Sequence, residues 1–184
     1  CTPALRSFRK QYPEAVIHFL CSSRLKFVLE GNPVIDRIIT CENQPSLSDA
    51  LRLRKEKYDV VVDFISLPRT AFASFISGAN TRIGLDKRGR TFFYTHPCAE
   101  KIDTYSALNK LTMLATLGVN EADDTTISIY PDNNDTAVAQ EIINRLRLEE
   151  TPNLCAFSPV SRRDYKRWPY QKYAHICDSL HELH

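Results

Sequence analysis

The stretch FSPVSRRDYKRWP, residues 157–169, decides the reading of the fold. It follows NLCAF at 153–157, an apolar run with the length of a buried strand. It precedes Tyr170 to Leu183, where Tyr173, Ile176, Cys177, Leu180 and Leu183 recur at helical spacing. Strand, loop and helix in that order are the repeating unit of an α/β protein. The loop carries Arg162, Arg163, Lys166 and Arg167 beside Ser158 and Ser161. Pro169 stands where a first helical residue is expected, since its missing N–H is not needed there. A helix N-terminus presents unpaired N–H groups and partial positive charge. Cations and hydroxyls just ahead of it form a phosphate-binding arrangement; a solvated basic loop is the competing reading.

The same alternation extends towards the N-terminus. Thr2 and Pro3 can cap and open a helix to about Tyr12. Strands are predicted at Ala15–Cys21, Ile35–Cys41, Tyr58–Ile65, Thr81–Leu85 and Ile127–Tyr130. Helices are predicted at Ser23–Leu29, Leu47–Lys57, Arg69–Ser77, Asp103–Leu117 and Asn134–Leu148. Gly31-Asn32-Pro33 is a turn, and Gly78 and Gly118 close helices. The continuous apolar centre of YDVVVDFI at 58–65 suggests a strand buried on both faces. Strands alternating with helices predict Rossmann-like parallel sheets.

Composition bounds the class. The 184 residues are 43% hydrophobic and 25% charged, as in globular proteins. No apolar run approaches the roughly 20 residues that cross a bilayer. A formal net charge of +2 does not imply a polyanionic partner. The six cysteines form no CxxC pair, and four lie in apolar patterns. That favours reduced, buried thiols and a cytoplasmic protein over a disulfide framework or zinc site.

The domain expectation is an α/β domain over residues 1–118, a connection over 119–152 and the opening of a second α/β domain over 153–184. A helix opening an α/β pattern usually follows a strand, so a fragment lacking its first strand is expected. Two such domains enclose a cleft at the carboxyl ends of their strands.

Other polar residues have plainer readings. Asp123-Asp124 and DNND at 132–135 read as caps and turns before a metal site. Asp59 and Asp63 flank a strand; Asp63, near its carboxyl end, could face the cleft, and a structural role is favoured. His18 reads as a packed histidine, and Trp168 as packing for its loop. Basic and aromatic residues interleaved over 162–173 could also form a nucleic-acid patch. The nearly balanced charge and confinement to one loop argue against that.

Five segments then carry a resemblance: TPALRSFRKQYPEAVIHFL at 2–20, GNPVIDRII at 31–39, YDVVVDF at 58–64, SGANTRIG at 77–84 and SPVSRRDYKRWP at 158–169. In this order and spacing the chain resembles glycosyltransferase family 9, the heptosyltransferases of lipopolysaccharide core assembly. The resemblance implies a GT-B-type architecture, with an acceptor-binding N-terminal domain and a donor-binding C-terminal one. It implies heptose transfer from a nucleotide-diphosphate donor such as ADP-heptose, inverting and without a metal. The acceptor would be a lipopolysaccharide core or lipid-linked sugar at the inner membrane surface. A related transferase using another nucleotide sugar is the alternative.

The resemblance assigns Lys166 and Ser161 to the donor diphosphate, with Arg162 beside them; Arg69 and Arg82, at helix-start and strand positions, could reach an anionic acceptor, Arg82 and Thr2 lying within matched segments. It sets the general-base aspartate upstream of Cys1, so no catalytic residue is expected within these residues, and this stretch alone is expected to be inactive. The chemistry asks for such cations. Charge grows on the departing diphosphate, and fixed positive charge aimed there lowers the barrier.

Overall fold

The computed structural model describes residues 1–101, 104–119, 125–150 and 154–182. It divides into two compact units, residues 1–132 and residues 133–184.

In the first unit, α1 (Thr2–Gln11) opens with Pro3 in its first turn and buries Thr2, Pro3, Ala4 and Leu5. β1 (His18–Ser22) pairs in parallel with β2 (Arg37–Cys41), His18 facing Arg37 and Ser22 facing Cys41. The connection between them is a short 3-10 turn and α2 (Lys26–Leu29). Gly31 then turns the chain at φ +73, where a Cβ would lie 3.1 Å from the Tyr130 carbonyl. β3 (Val60–Asp63), β4 (Thr81–Leu85) and β5 (His96–Cys98) form a second parallel sheet in that order. α3 (Leu47–Lys55) leads into β3, and α4 (Pro68–Ile76) crosses from β3 to β4. The predicted Rossmann-like alternation is therefore present, although β4 connects to β5 through a 3-10 turn, Thr91–Phe93, instead of an α-helix.

Two helix pairs cover these strands. α3 and α4 bury Ala50, Leu53 and Ala73 with Ile39 of β2, and Leu20 and Tyr58 pack beside them. α1 and α5 (Ser106–Leu114) bury Ala4, Leu111 and Leu114 with Val119, against Val62 and Phe64. Met113 of α5 closes over Ile83 and Leu85 of β4. Removing side chains such as Ile83 or Leu111 from water contributes roughly 1.5–3 kcal/mol each. Among the described residues, backbone bonds do not join the two sheets. Instead His18 Nδ1 lies 2.8 Å from the Tyr58 hydroxyl, with the rings edge to face. Asp36 ties α1 to β1 and β2: its carboxylate accepts from the Ile17 N–H and the Arg9 guanidinium, each at 2.6 Å. Those bonds, the backbone one first, hold its carboxyl below the ordinary range.

Several expectations are corrected. Residues 127–130 form no strand. The side chains of α1 take the place of a strand neighbour: Ser128 N–H donates to Thr2 Oγ1 at 3.1 Å, and Arg6 donates to the Thr126 carbonyl at 2.7 Å and to the Ser128 hydroxyl. β3 is half-buried along Val60 to Val62 and, among the described residues, pairs with β4 alone. The three-residue strand β5 went unseen in the sequence, where Pro97 reads as a breaker; at a sheet edge its missing N–H is tolerated. All six cysteines are free, but only Cys41 is buried; Cys21 and Cys98 are half-buried, and Cys1, Cys155 and Cys177 are exposed.

The second unit holds α6 (Asn133–Arg145), α7 (Tyr170–Glu182) and the basic loop. Residues 154–160 are exposed and form no ladder, so the strand predicted over 153–157 is absent where described. Asn153, Leu183, Asp103 and the Asp123-Asp124 pair lie outside the described residues.

One glycine reports on the packing. The Tyr94 ring lies over Gly84 of β4, and a Cβ there would fall inside it. Gly84→Ala should therefore destabilise the chain by about 3 kcal/mol, read as a lowered denaturant midpoint. In a Tyr94→Ala background the same change should cost much less, because the obstructing ring is gone. Equal cost in both backgrounds would refute this account.

Candidate functional site

The loops that leave β2, β3 and β4 meet at the carboxyl ends of the strands. Their geometry starts from Asp63, the last residue of β3 and only 8% exposed. Its Oδ1 accepts from the N–H groups of Ile65 (3.1 Å) and Ser66 (2.8 Å), and its Oδ2 accepts from the Tyr94 hydroxyl at 2.8 Å. Ser66 is fully buried at φ +52, a conformation a non-glycine residue holds only when surroundings fix it. Its hydroxyl donates to the Asp63 carbonyl at 3.0 Å and accepts from Leu85 N–H at 2.7 Å. Its own carbonyl accepts from Arg90 Nη1 at 2.7 Å. Burial, foremost, raises the Tyr94 phenol far above its usual range, so it stays a donor to Asp63.

This network holds the loop of residues 86–93 against the start of α4. Between them lies an open cavity of about 780 Å³ lined by Ser46, Arg69, Phe72, Arg88, Arg90 and Phe93, among others. Its charged lining is entirely cationic. Arg90 is engaged with Ser66, whereas Arg69 and Arg88 pair with no carboxylate among the described residues. A second cavity of about 740 Å³ adjoins it through Ser46 and Arg69, with Ser23, Thr40, Asn43, Gln44 and Ser48 and the carboxylates Glu42 and Asp49 in its wall. Ser46 caps α3, its hydroxyl accepting from Asp49 N–H at 3.2 Å while the Asp49 carboxylate accepts from Ser46 N–H at 2.9 Å. Two guanidinium groups can take an anionic group of a ligand, and the adjoining wall of hydroxyls, amides and two carboxylates can take its sugar hydroxyls.

Of the residues read from sequence as acceptor contacts, Arg69 lies in this cavity, and Thr2 and Arg82 do not line it. Thr2 is buried with its hydroxyl bound to Ser128. Arg82 donates from Nε to the Phe93 carbonyl (2.9 Å) and from Nη1 to the Ala79 carbonyl (2.6 Å), and its guanidinium lies 5.6 Å from the Phe75 ring centroid. It holds the wall instead of facing the cavity. Arg88 and Arg90 stand in a run readable as basic, but nothing in the sequence flags Ser66 or Tyr94.

The basic loop of the second unit sorts its own cations. Arg167 donates to the Ser161 carbonyl at 2.7 Å and pairs with Asp164 at 3.0 Å. That closes the 3-10 turn Asp164–Lys166 just before α7. Lys166 pairs with no carboxylate among the described residues and lies 5.9 Å from the Tyr165 ring centroid. Arg162 is exposed, and the Ser161 hydroxyl accepts from Arg163 N–H at 3.5 Å. Pro169 precedes α7 directly, its carbonyl accepting from Lys172 N–H. Trp168 packs edge-on against Tyr173 of α7, as the sequence favoured.

The Arg82 geometry generates a test. Arg82→Ala should speed hydrogen exchange of the amides from Thr91 to Thr95 by about tenfold or more, the scale of losing charged hydrogen bonds. Arg69→Ala should leave those amides unchanged. Equal protection in both variants would show that Arg82 does not brace the loop.

The family described as glycosyltransferase family 9 (heptosyltransferase) matches residues 48–183. Lipopolysaccharide heptosyltransferase 3 of Escherichia coli is 23% identical over 98% of this chain and 56% of its own length. The chain thus spans about half the length of that relative. The solved glycosyltransferase family 9 structure from Veillonella parvula superposes with a TM-score of 0.83 at 26% identity, covering 99% of this chain and 55% of that one. Escherichia coli ADP-heptose lipopolysaccharide heptosyltransferase II superposes with a TM-score of 0.66 at 16% identity, over 99% of this chain and 57% of that one. Heptosyltransferase WaaC with ADP, from the same organism, gives 0.65 at 16%, over 97% and 57%. The Rossmann-like, GT-B-type fold read from the sequence is the fold of these structures. With its match over residues 48–183, this chain belongs to glycosyltransferase family 9.

Proposed function

We propose that this chain is part of a glycosyltransferase moving a heptose, or a related sugar, from a nucleotide-diphosphate donor to an anionic sugar acceptor. The acceptor would be a lipopolysaccharide core or lipid-linked sugar at the cytoplasmic face of the inner membrane. The observation that carries the reading is the pair of guanidinium groups at Arg69 and Arg88 without carboxylate partners among the described residues, beside a hydroxyl-rich wall. Phosphate or carboxylate on an acceptor matches the first cavity, and sugar hydroxyls match the second. Arg82, through Phe93, serves this site as a positioning residue.

The donor reading rests on the second unit. Structures similar in fold are described with ADP and with ADP-2-deoxy-2-fluoro heptose. Here Lys166 is among the cations left for a diphosphate, because Asp164 and the Ser161 carbonyl occupy Arg167. Ser161 and Arg162 flank it. A lysine beside a helix N-terminus opposes the charge growing on the leaving diphosphate, so it stabilises the transition state more than the ground state. An upstream carboxylate would take the acceptor proton, and attack opposite the leaving group would invert the anomeric carbon. With this charge supplied by protein groups, the mechanism asks for no metal.

Kinetics on the protein at its relatives' full length test both halves. Lys166→Ala should lower kcat/KM by about two to three orders of magnitude, and Lys166→Arg should recover part of it. Arg167→Ala should cost less than about tenfold. Arg69→Ala should raise the acceptor KM by about tenfold and leave donor affinity unchanged. A near-normal Lys166→Ala together with a crippled Arg167→Ala would overturn the donor assignment. An Arg69→Ala effect on donor affinity alone would overturn the acceptor one.

A further inference from the structure

The segment from α4 to the end of the following loop leaves four phenylalanines together at the surface. Phe93 meets Phe72, Phe75 and Phe92 at ring-centroid distances of 6.3, 5.7 and 4.0 Å. Phe92 is 69% exposed, Phe75 45% and Phe72 40%. Rings of this size left in water forfeit the burial that stabilises the rest of the unit. A clustered apolar patch of this kind marks a surface that binds something.

Charge indicates what it binds. Residues 68–93 contain five cations, Arg69, Arg82, Lys87, Arg88 and Arg90, and one carboxylate, Asp86. Asp86 accepts from the Thr91 hydroxyl at 2.6 Å, and Glu100, outside the segment, pairs with Lys87 at 3.4 Å. Arg88 carries no carboxylate partner among the described residues and sits beside Gly89 at the loop tip, exposed. A protein partner covering this patch would have to strip water from several of these cations, at a cost only matched carboxylates repay. A bilayer surface makes no such demand. Phenylalanine enters the boundary between headgroups and acyl chains, while long cationic side chains stay hydrated among anionic headgroups. No helix among the described residues is long and apolar enough to cross a membrane, so contact of this kind lies at the surface.

We propose that Phe72, Phe75 and Phe92, with Arg88 and Arg69 around them, form a docking surface for an anionic lipid bilayer. The inference rests on the membrane-side acceptor proposed above and names the face that meets the membrane. That face borders the Arg69 and Arg88 cavity, so a lipid-linked acceptor would reach the cavity from the surface to which the chain is docked.

The test is co-sedimentation of this chain with vesicles, which needs neither donor nor acceptor. Its failure would leave sugar transfer standing, and absent transfer activity would leave docking standing. Vesicles of phosphatidylglycerol and phosphatidylcholine in equal parts should bind the chain; pure phosphatidylcholine vesicles should bind it at least about tenfold more weakly. Added salt should weaken binding. Phe92→Ser and Arg88→Glu, both at exposed positions, should each weaken it by about tenfold, with circular dichroism unchanged. Arg163→Glu, on the basic loop of the other unit, should leave it unchanged. The proposal is overturned if anionic and neutral vesicles bind equally or not at all. Binding lost through Arg163→Glu, while Phe92→Ser and Arg88→Glu still bind, overturns it as well. So does self-association abolished by Phe92→Ser in a chain that ignores vesicles.

Discussion

A carboxylate buried at the end of a strand must find its full set of donors, because leaving it short costs several kcal/mol. Asp63 meets that demand with two backbone N–H groups and the Tyr94 hydroxyl. The consequences spread from there. The two N–H bonds fold residues 63–66 back sharply enough to hold Ser66 at positive φ. The buried Ser66 then reaches Leu85 with its hydroxyl and receives Arg90 at its carbonyl. The Tyr94 ring, drawn in by Asp63, takes the space over Gly84 that any side chain would fill. One buried charge thus sets the turn after β3, the residue type at the middle of β4 and the path of the loop bearing Arg88 and Arg90.

The functional face is built from parts that are ordinary one by one. Parallel pairing brings three strand ends to the same edge, and the loops leaving them share that edge. What gives it chemical character is the difference between occupied and unoccupied cations. Arg82 and Arg90 spend their donors on carbonyls and hold the wall in place. Arg69 and Arg88, the cations proposed to bind, pair with no carboxylate among the described residues. The basic loop of the second unit repeats this division, with Arg167 tied to its own turn and Lys166, like Arg162 and Arg163, paired with no carboxylate among the described residues. In each unit a structural arginine stands close to the cation proposed to bind, so a count of positive charges does not identify the binding one.

Hydrogen-bond economy also explains where sequence reading and structure part. Residues 127–130 carry the alternation of a strand, but Thr2 and Arg6 satisfy their backbone and no strand forms beside them. Pro97 looks like a breaker, yet an edge strand needs no N–H at that position. Thr2 and Arg82 stand in segments matched to the family, and in the fold Thr2 accepts from Ser128 N–H while Arg82 donates to the Phe93 and Ala79 carbonyls.

The sequence by itself determined the class of fold and the order of its elements. Apolar periodicity, prolines at helix starts and glycines at helix ends are local signals, and local physics reads them: Thr81–Leu85 was bounded to the residue, and α1, α3 and α4 to within one or two. The Phe157–Pro169 loop and four further segments were enough to point to the family. Only the tertiary structure decided which cations are unoccupied, and that Asp63 and Tyr94, 31 positions apart, share a hydrogen bond. It also decided that Phe72, Phe75 and Phe92 converge on Phe93 at the surface. The reason is physical. A side chain's propensity is carried by its own neighbourhood in sequence, whereas its hydrogen-bond partner is settled by whichever distant group the fold brings within about 3 Å.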